Sequence, residues 1–244
     1  MSAAAPLVLP DALAAVVWRG SACGGLGAPS RGAQPSGWAA LDAELPGGGW
    51  PPGALSEILS PRPALLEWRL LGPALRGVAA RGASVLLIGA PQPPYLPGLR
   101  QCGIEPAQLL RVQAQTVAER LWVAEQVLDA AGAVLLWLPQ AQAAQLRRLH
   151  ARAAGSEALL FALRPLGARA ESSPAPLRVL AQPGADWALQ LQVFKRRGAP
   201  QPQPLSLHAP PAALDAVLPP RLRPAAAPRP EMDHAVVRIA PAVA

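Results

Sequence analysis

The sequence predicts an α/β fold: a mostly parallel sheet with helices on both faces, an antiparallel hairpin at one edge, and a proline-rich tail. Three observations lead there. Continuous apolar runs of strand length at 83–88, 133–138 and 158–163 are what strands covered on both faces require. Helix-length segments with apolar residues at threes and fours alternate with those runs, the pattern of strands joined by helical crossovers. After Pro174 the pattern becomes alternating, over 177–181 and 187–194 around a Pro183-Gly184 turn, as in a hairpin.

In chain order, residues 1–35 form an N-terminal unit. Asp11 is an N-cap candidate for a short helix over 11–18, and a Gly/Ser/Pro linker runs from 20 to 37. Trp18 and Arg19 suit either docking of a partner or cover for the core edge. The folded domain spans 36–198. A glycine-rich turn at 46–53 leads into an apolar strand over 54–59, and residues 63–81 carry Leu65, Leu66, Leu70, Leu71, Leu75 and Val78 at helical spacing, with Gly72-Pro73 as a mild break. The strand at 83–88 follows. Then come a short strand at 109–112, a helix at 117–131, the strand at 133–138, a helix at 141–154, the strand at 158–163 and the hairpin. Residues 199–244 are rich in proline and poor in contiguous apolar segments, too few to offset the entropy of ordering, so a largely disordered tail is expected. Its segments 212–218 and 235–239 are candidates to order on a partner.

The bulk properties bound the function. A chain of 244 residues that is 51% apolar can build one sizeable core. The net charge of +7 is carried almost wholly by arginine, which admits nucleic acid or an acidic protein as partner and is equally what an arginine-for-lysine compositional bias produces. Cys23 and Cys102 are far apart, with no metal-like or redox spacing, as expected in a reducing compartment. The early apolar stretch is interrupted by Pro6, Pro10 and Asp11 and has no basic segment before it, and no apolar run reaches about 18 residues. A soluble, cytoplasmic protein without a membrane partner is the expectation.

The turn and strand at 46–61 have the layout of a phosphate-cradling loop, in which a strand is followed by G-x-x-x-x-G-K-[ST]. Here the corresponding residues are Ser60-Pro61-Arg62-Pro63-Ala64-Leu65-Leu66-Glu67. Leu66 stands at the lysine position and Glu67 at the hydroxyl position. Two prolines remove N–H donors, and Glu67 is expected to repel phosphates. The only lysine of the chain is Lys195. The positions Ser60, Leu65, Leu66 and Glu67 thus read as a degenerate P-loop with no nucleotide and no other cofactor.

Around this turn the chain resembles the RecA core. Ser36-Gly37-Trp38-Ala39-Ala40-Leu41-Asp42 is similar to a T-G-x-x-x-L-D segment, and Gly47-Gly48-Gly49 with Gly53 and Glu57-Ile58 is similar to the G-G-G-[LI]-P-x-G turn and the strand ending in E-I. With Val17-Trp18-Arg19-Gly20 upstream and Phe194-Lys195-Arg196-Arg197-Gly198 downstream, residues 10–198 resemble the ImuA family, RecA-like proteins often described as SulA-like. In the RecA pattern two later strands end in acidic residues that activate water and order Mg²⁺. Here they end in Gly89-Ala90-Pro91-Gln92 and Leu138-Pro139-Gln140, which supply no general base.

Other catalytic constellations are also missing. His150, His208 and His234 have no metal-ligand spacing, and Ser56 and Ser172-Ser173 have no nearby histidine. No metal site is expected, and no enzyme. What remains is a surface: Lys195, Arg196 and Arg197 at the end of the last strand, and Arg147, Arg148 and Arg152 on one helix. These fit contact with a partner or with a nucleic-acid backbone, and equally a charged strand end that keeps an edge soluble. The resemblance implies a non-catalytic accessory or adaptor role in damage-induced (SOS) mutagenic translesion DNA synthesis. The implied partners are an ImuB-type polymerase-like protein, a specialised replicative-type polymerase, and RecA and DNA as further candidates. Two alternatives stand beside it: a SulA-like cell-division inhibitor, and a DNA-dependent ATPase with an unorthodox P-loop.

Overall fold

A computed structural model describes residues 32–210 apart from 65, 200 and 202, together with 214 and 217. The expected helix over 11–18, Cys23, Leu65, His234 and most of the tail lie outside the described residues. The elements are α1 (Ala39–Asp42), β1 (Leu55–Ser60), α2 (Glu67–Ala80), β2 (Val85–Ile88), α3 (Leu96–Gln101), β3 (Leu109–Val112), α4 (Val117–Val127), β4 (Ala133–Trp137), α5 (Ala143–Ala153), β5 (Leu159–Pro165), β6 (Leu177–Pro183), β7 (Ala188–Lys195) and β8 (Leu205–His208), with 3₁₀ turns at Pro106–Gln108 and Leu166–Ala170. They form one eight-stranded sheet in the order β3-β2-β4-β5-β1-β6-β7-β8. The first six strands are parallel; β7 runs antiparallel to both its neighbours.

Strand periodicity sorts the core into two layers. Val85, Leu87, Leu135, Phe161 and Val179 pack with α2 and α3, and Leu86, Ile88, Val134, Leu136 and Leu160 pack with α4 and α5. That division follows from right-handed crossovers. Connections from β1 to β2 to β3 move one way across the sheet and cover one face; those from β3 to β4 to β5 return and cover the other. Trp50 sits edge-on against Phe161 beneath α2, with ring centroids 5.2 Å apart.

Three expectations need correction. Pro73 lies inside a continuous α2, whose apolar face of Leu70, Leu71, Ala74 and Leu75 packs through the proline position. Part of the region assigned to a linker belongs to the core: Gln34 and Trp50 exchange both backbone hydrogen bonds, at 2.9 and 2.7 Å. The fold also runs past Gly198, since β8 pairs with β7 and buries Leu207 and Ala209. Proline richness masked the short alternation Leu205-Ser206-Leu207 in the sequence. His208, expected in the tail, is on this strand. Among the described residues no helix is long and apolar enough to cross a membrane.

Candidate functional site

The segment that precedes β1 serves architecture. The Ser36 N–H donates to Asp42 Oδ1 at 2.8 Å and the Trp38 N–H to Ser36 Oγ at 3.1 Å, which folds the chain into α1 and seats Leu41 in the core. Gly37 between them has φ 84°, and a Cβ there would stand 2.3 Å from the Pro73 Cβ, so only glycine lets this turn lie on α2.

Beyond β1 the turn is occupied by its own chain. Glu67, the first residue of α2, is 2% exposed. Its Oε1 accepts the Ala64 N–H at 2.8 Å and its Oε2 accepts the Leu66 N–H at 3.0 Å. Ala64 is left-handed, with φ 62°, and the turn it makes brings its own amide and that of Leu66 to one carboxylate. The carboxylate therefore holds amides that an anion would need, whereas the sequence suggested that prolines remove N–H donors and Glu67 repels phosphates. Leu66, at the lysine position, is a core residue, and the Ser60 hydroxyl donates to the Arg62 carbonyl at 3.1 Å.

A cavity of about 260 Å³ opens beside this turn, at the carboxyl ends of β1, β2, β4 and β5. Ligand sites of open α/β sheets gather at such ends, where connections leave to opposite faces. The ends of β2 and β4 contribute Gly89, Pro91, Trp137 and Pro139, and Glu67 is the one carboxylate on the wall. Arg120 of α4 crosses over Gly89 (φ 66°), where a Cβ would lie 2.4 Å from its Nε. It donates from Nε to the Ala114 carbonyl and from Nη1 to the Trp137 carbonyl, each at 2.9 Å.

Behind the cavity lies a buried ion cluster. Glu57 of β1 is fully buried; its Oε2 accepts from Arg178 Nε at 2.8 Å, and its Oε1 accepts from the Ser173 hydroxyl. Arg164 of β5 places Nη1 3.7 Å from the same carboxylate and donates from Nη2 to Glu171 at 2.7 Å. Arg178 also donates to the Ala168 carbonyl at 2.6 Å and lies 4.9 Å from the centre of the Phe194 ring. Buried charges persist only when paired and hydrogen-bonded in this way. The cluster ties β1 to β5 and β6. It was legible in principle, because one acid and two arginines interrupt otherwise apolar strands.

The basic residues singled out from sequence divide into two kinds. Arg196 is a structural pin: its side chain is 2% exposed, and Nη1 donates to the Glu44 carbonyl at 2.6 Å and pairs with the Glu44 carboxylate. Lys195 and Arg197 on either side are exposed, and Lys195 donates to the Ser173 carbonyl at 2.6 Å. On α5, Arg148 pairs with Glu125 at 2.6 Å and Arg152 pairs with Asp129, both across to the α4 segment, while Arg147 faces solvent. The hydrogen bond from Arg152 holds the Asp129 carboxyl below its usual range. His150 is half-buried, and its Nδ1 accepts the Leu55 N–H at 3.3 Å, so it serves as a structural acceptor between α5 and β1. Among the described residues no cluster of three or more His, Cys, Asp or Glu is placed to hold a metal, and Cys102 is a free, half-buried thiol. No protein-family model matches the chain, and no curated protein sequence matches it.

Proposed function

We propose that the chain is a RecA-like accessory protein without nucleotide chemistry, acting by binding and placement in damage-induced mutagenic DNA synthesis. The observation that carries this reading is the Glu67 carboxylate seated on the Ala64 and Leu66 amides. A P-loop works by offering such amides, a lysine and a hydroxyl to phosphate. In this chain the amides are taken, the lysine position is a core leucine, and prolines stand at the strand ends where acids would order Mg²⁺ and water.

The parts of the RecA-like pattern that remain are those with architectural work. Ser36, Gly37 and Asp42 build the approach to α1, and Glu57 anchors β1 to β6. A chain that keeps the frame and replaces the chemistry fits an adaptor, and the ImuA resemblance supplies the setting and the partners: an ImuB-type polymerase-like protein, a specialised replicative-type polymerase, and RecA or DNA. The side chains available for contact are Arg147, Lys195 and Arg197, with Arg148 and Arg152 at the rim of the α4–α5 face.

Affinity capture of the full chain from damaged cells tests the role. The proposal expects the polymerase-like protein and the specialised polymerase to co-purify. Capture of the division GTPase without either polymerase would move the reading to a cell-division inhibitor.

A further inference from the structure

The cavity at the carboxyl ends of the strands extends beyond the turn that Glu67 fills, and its chemistry differs from that of a phosphate site. Pro63, Pro91, Pro139, Leu163 and Pro165 make its walls apolar, together with the Trp137 indole. Two arginines stand on its wall, and Arg120 is the one without a carboxylate partner among the described residues. Two carbonyls at 2.9 Å fix the plane of the Arg120 guanidinium, and its Nη2 makes no hydrogen bond among the described residues. Trp137 Nε1 and Arg164 Nε and Nη1, on two residues of the wall, are also buried without a hydrogen-bond partner among the described residues. Arg164, also on the wall, is engaged with Glu171 and faces Glu57.

This donor set defines the ligand. A guanidinium held in plane with a free edge is suited to a carboxylate, and in an apolar surround that bond is charge-assisted. Arg120 has no carboxylate partner among the described residues, and the Glu67 carboxylate on the same wall opposes any polyanion. A volume of about 260 Å³ falls below the usual span of small-molecule sites and restricts the guest to a compact body. We infer that this cavity binds a small monocarboxylate with an apolar body, its carboxylate on Arg120 and its body against the proline walls beside Trp137. The inference is independent of the accessory role, since it concerns a site that would be filled whichever partner the surface engages.

Nitrogen-15 NMR of the indole N–H resonances, with Trp137 assigned through Trp137→Phe, reads the site directly. The probes are benzoate, benzamide and inorganic phosphate. Benzoate is expected to move the Trp137 indole resonance saturably, with a dissociation constant of ~0.1–5 mM. Benzamide, which keeps the shape and loses the charge, is expected to bind at least about tenfold more weakly. Arg120→Gln should weaken benzoate by about the same factor and leave benzamide unchanged. No saturable shift up to ~50 mM benzoate, or equal binding of acid and amide, overturns the inference. Phosphate binding as tight as benzoate overturns it as well. If Arg120→Gln does not fold, because it also ties Ala114 to Trp137, the comparison of acid with amide in the unaltered protein decides.

Discussion

Replacing Glu67 with alanine removes the internal anion and leaves the Ala64 and Leu66 amides without their acceptor. The cost follows from where those amides lie. A hydrogen bond to a charged group contributes about 1.5–3 kcal/mol, and a buried donor left without a partner loses the full amount. The Leu66 amide belongs to a residue 1% exposed, whereas Ala64 is exposed and water can replace its partner. The expected loss is therefore about 2–3 kcal/mol, nearly all from Leu66, or roughly 5–10 °C in melting temperature for a domain of this size. The same change should create an anion site. For an affinity of ~10 mM, ~50 mM phosphate would restore about 1 kcal/mol by mass action, in Glu67→Ala and not in the wild type. Thermal unfolding of both proteins with phosphate and with an equal ionic strength of chloride measures this. A Glu67→Ala melting point within about 1 °C of the wild type would refute the reasoning, as would equal phosphate stabilisation of the two proteins.

Other expectations follow from the same contacts. Glu57→Ala should destabilise the fold by about 3–5 kcal/mol in urea unfolding, and Glu57→Leu combined with Arg178→Met should recover much of that, because the pair is costly to break and cheap to replace. Arg196→Ala should cost about 1–3 kcal/mol while Arg197→Ala changes stability by less than about 0.5, a contrast that denaturant midpoints resolve. Acid should destabilise the α4–α5 face: hydrogen bonds from the Gln115 and Thr116 amides lower the Glu119 carboxyl pKa, and Arg152 lowers that of Asp129. Groups depressed in the folded state stabilise it above their unfolded pKa, so that contribution fades as pH falls below about 4, and Glu119→Gln or Asp129→Asn should flatten the acid limb of the denaturation midpoint. Hydrogen exchange should find the Leu189 and Leu207 region protected, reporting β8 as part of the sheet.

The frame was legible because buried parallel strands leave a strong mark: the runs around Val85–Ile88 and Ala133–Trp137 are apolar at every position. The edge was less legible. Strand β8 has four residues amid prolines, too short for periodicity to stand out, and its order comes from pairing with β7. Sequence could identify what the turn after β1 lacks but not what fills it. The seating of Glu67 depends on the left-handed conformation of Ala64, a tertiary outcome that alanine does not advertise. Arginines were visible as a total charge, yet their roles depend on distance. Arg196, read from sequence as a surface residue, reaches back to Glu44, and the reach of Arg178 to Glu57 and of Arg120 over Gly89 are internal contacts that the charge total does not mark.

The central claim is that the phosphate-holding turn is filled by the chain itself. Calorimetric titration of ATP–Mg²⁺ into the wild-type protein, with and without single-stranded DNA, tests it most directly. The account predicts no saturable heat up to ~1 mM nucleotide in either case. Saturable binding that weakens when the turn from Ser60 to Leu66 is altered would contradict it, and would make the protein a nucleotide-controlled one.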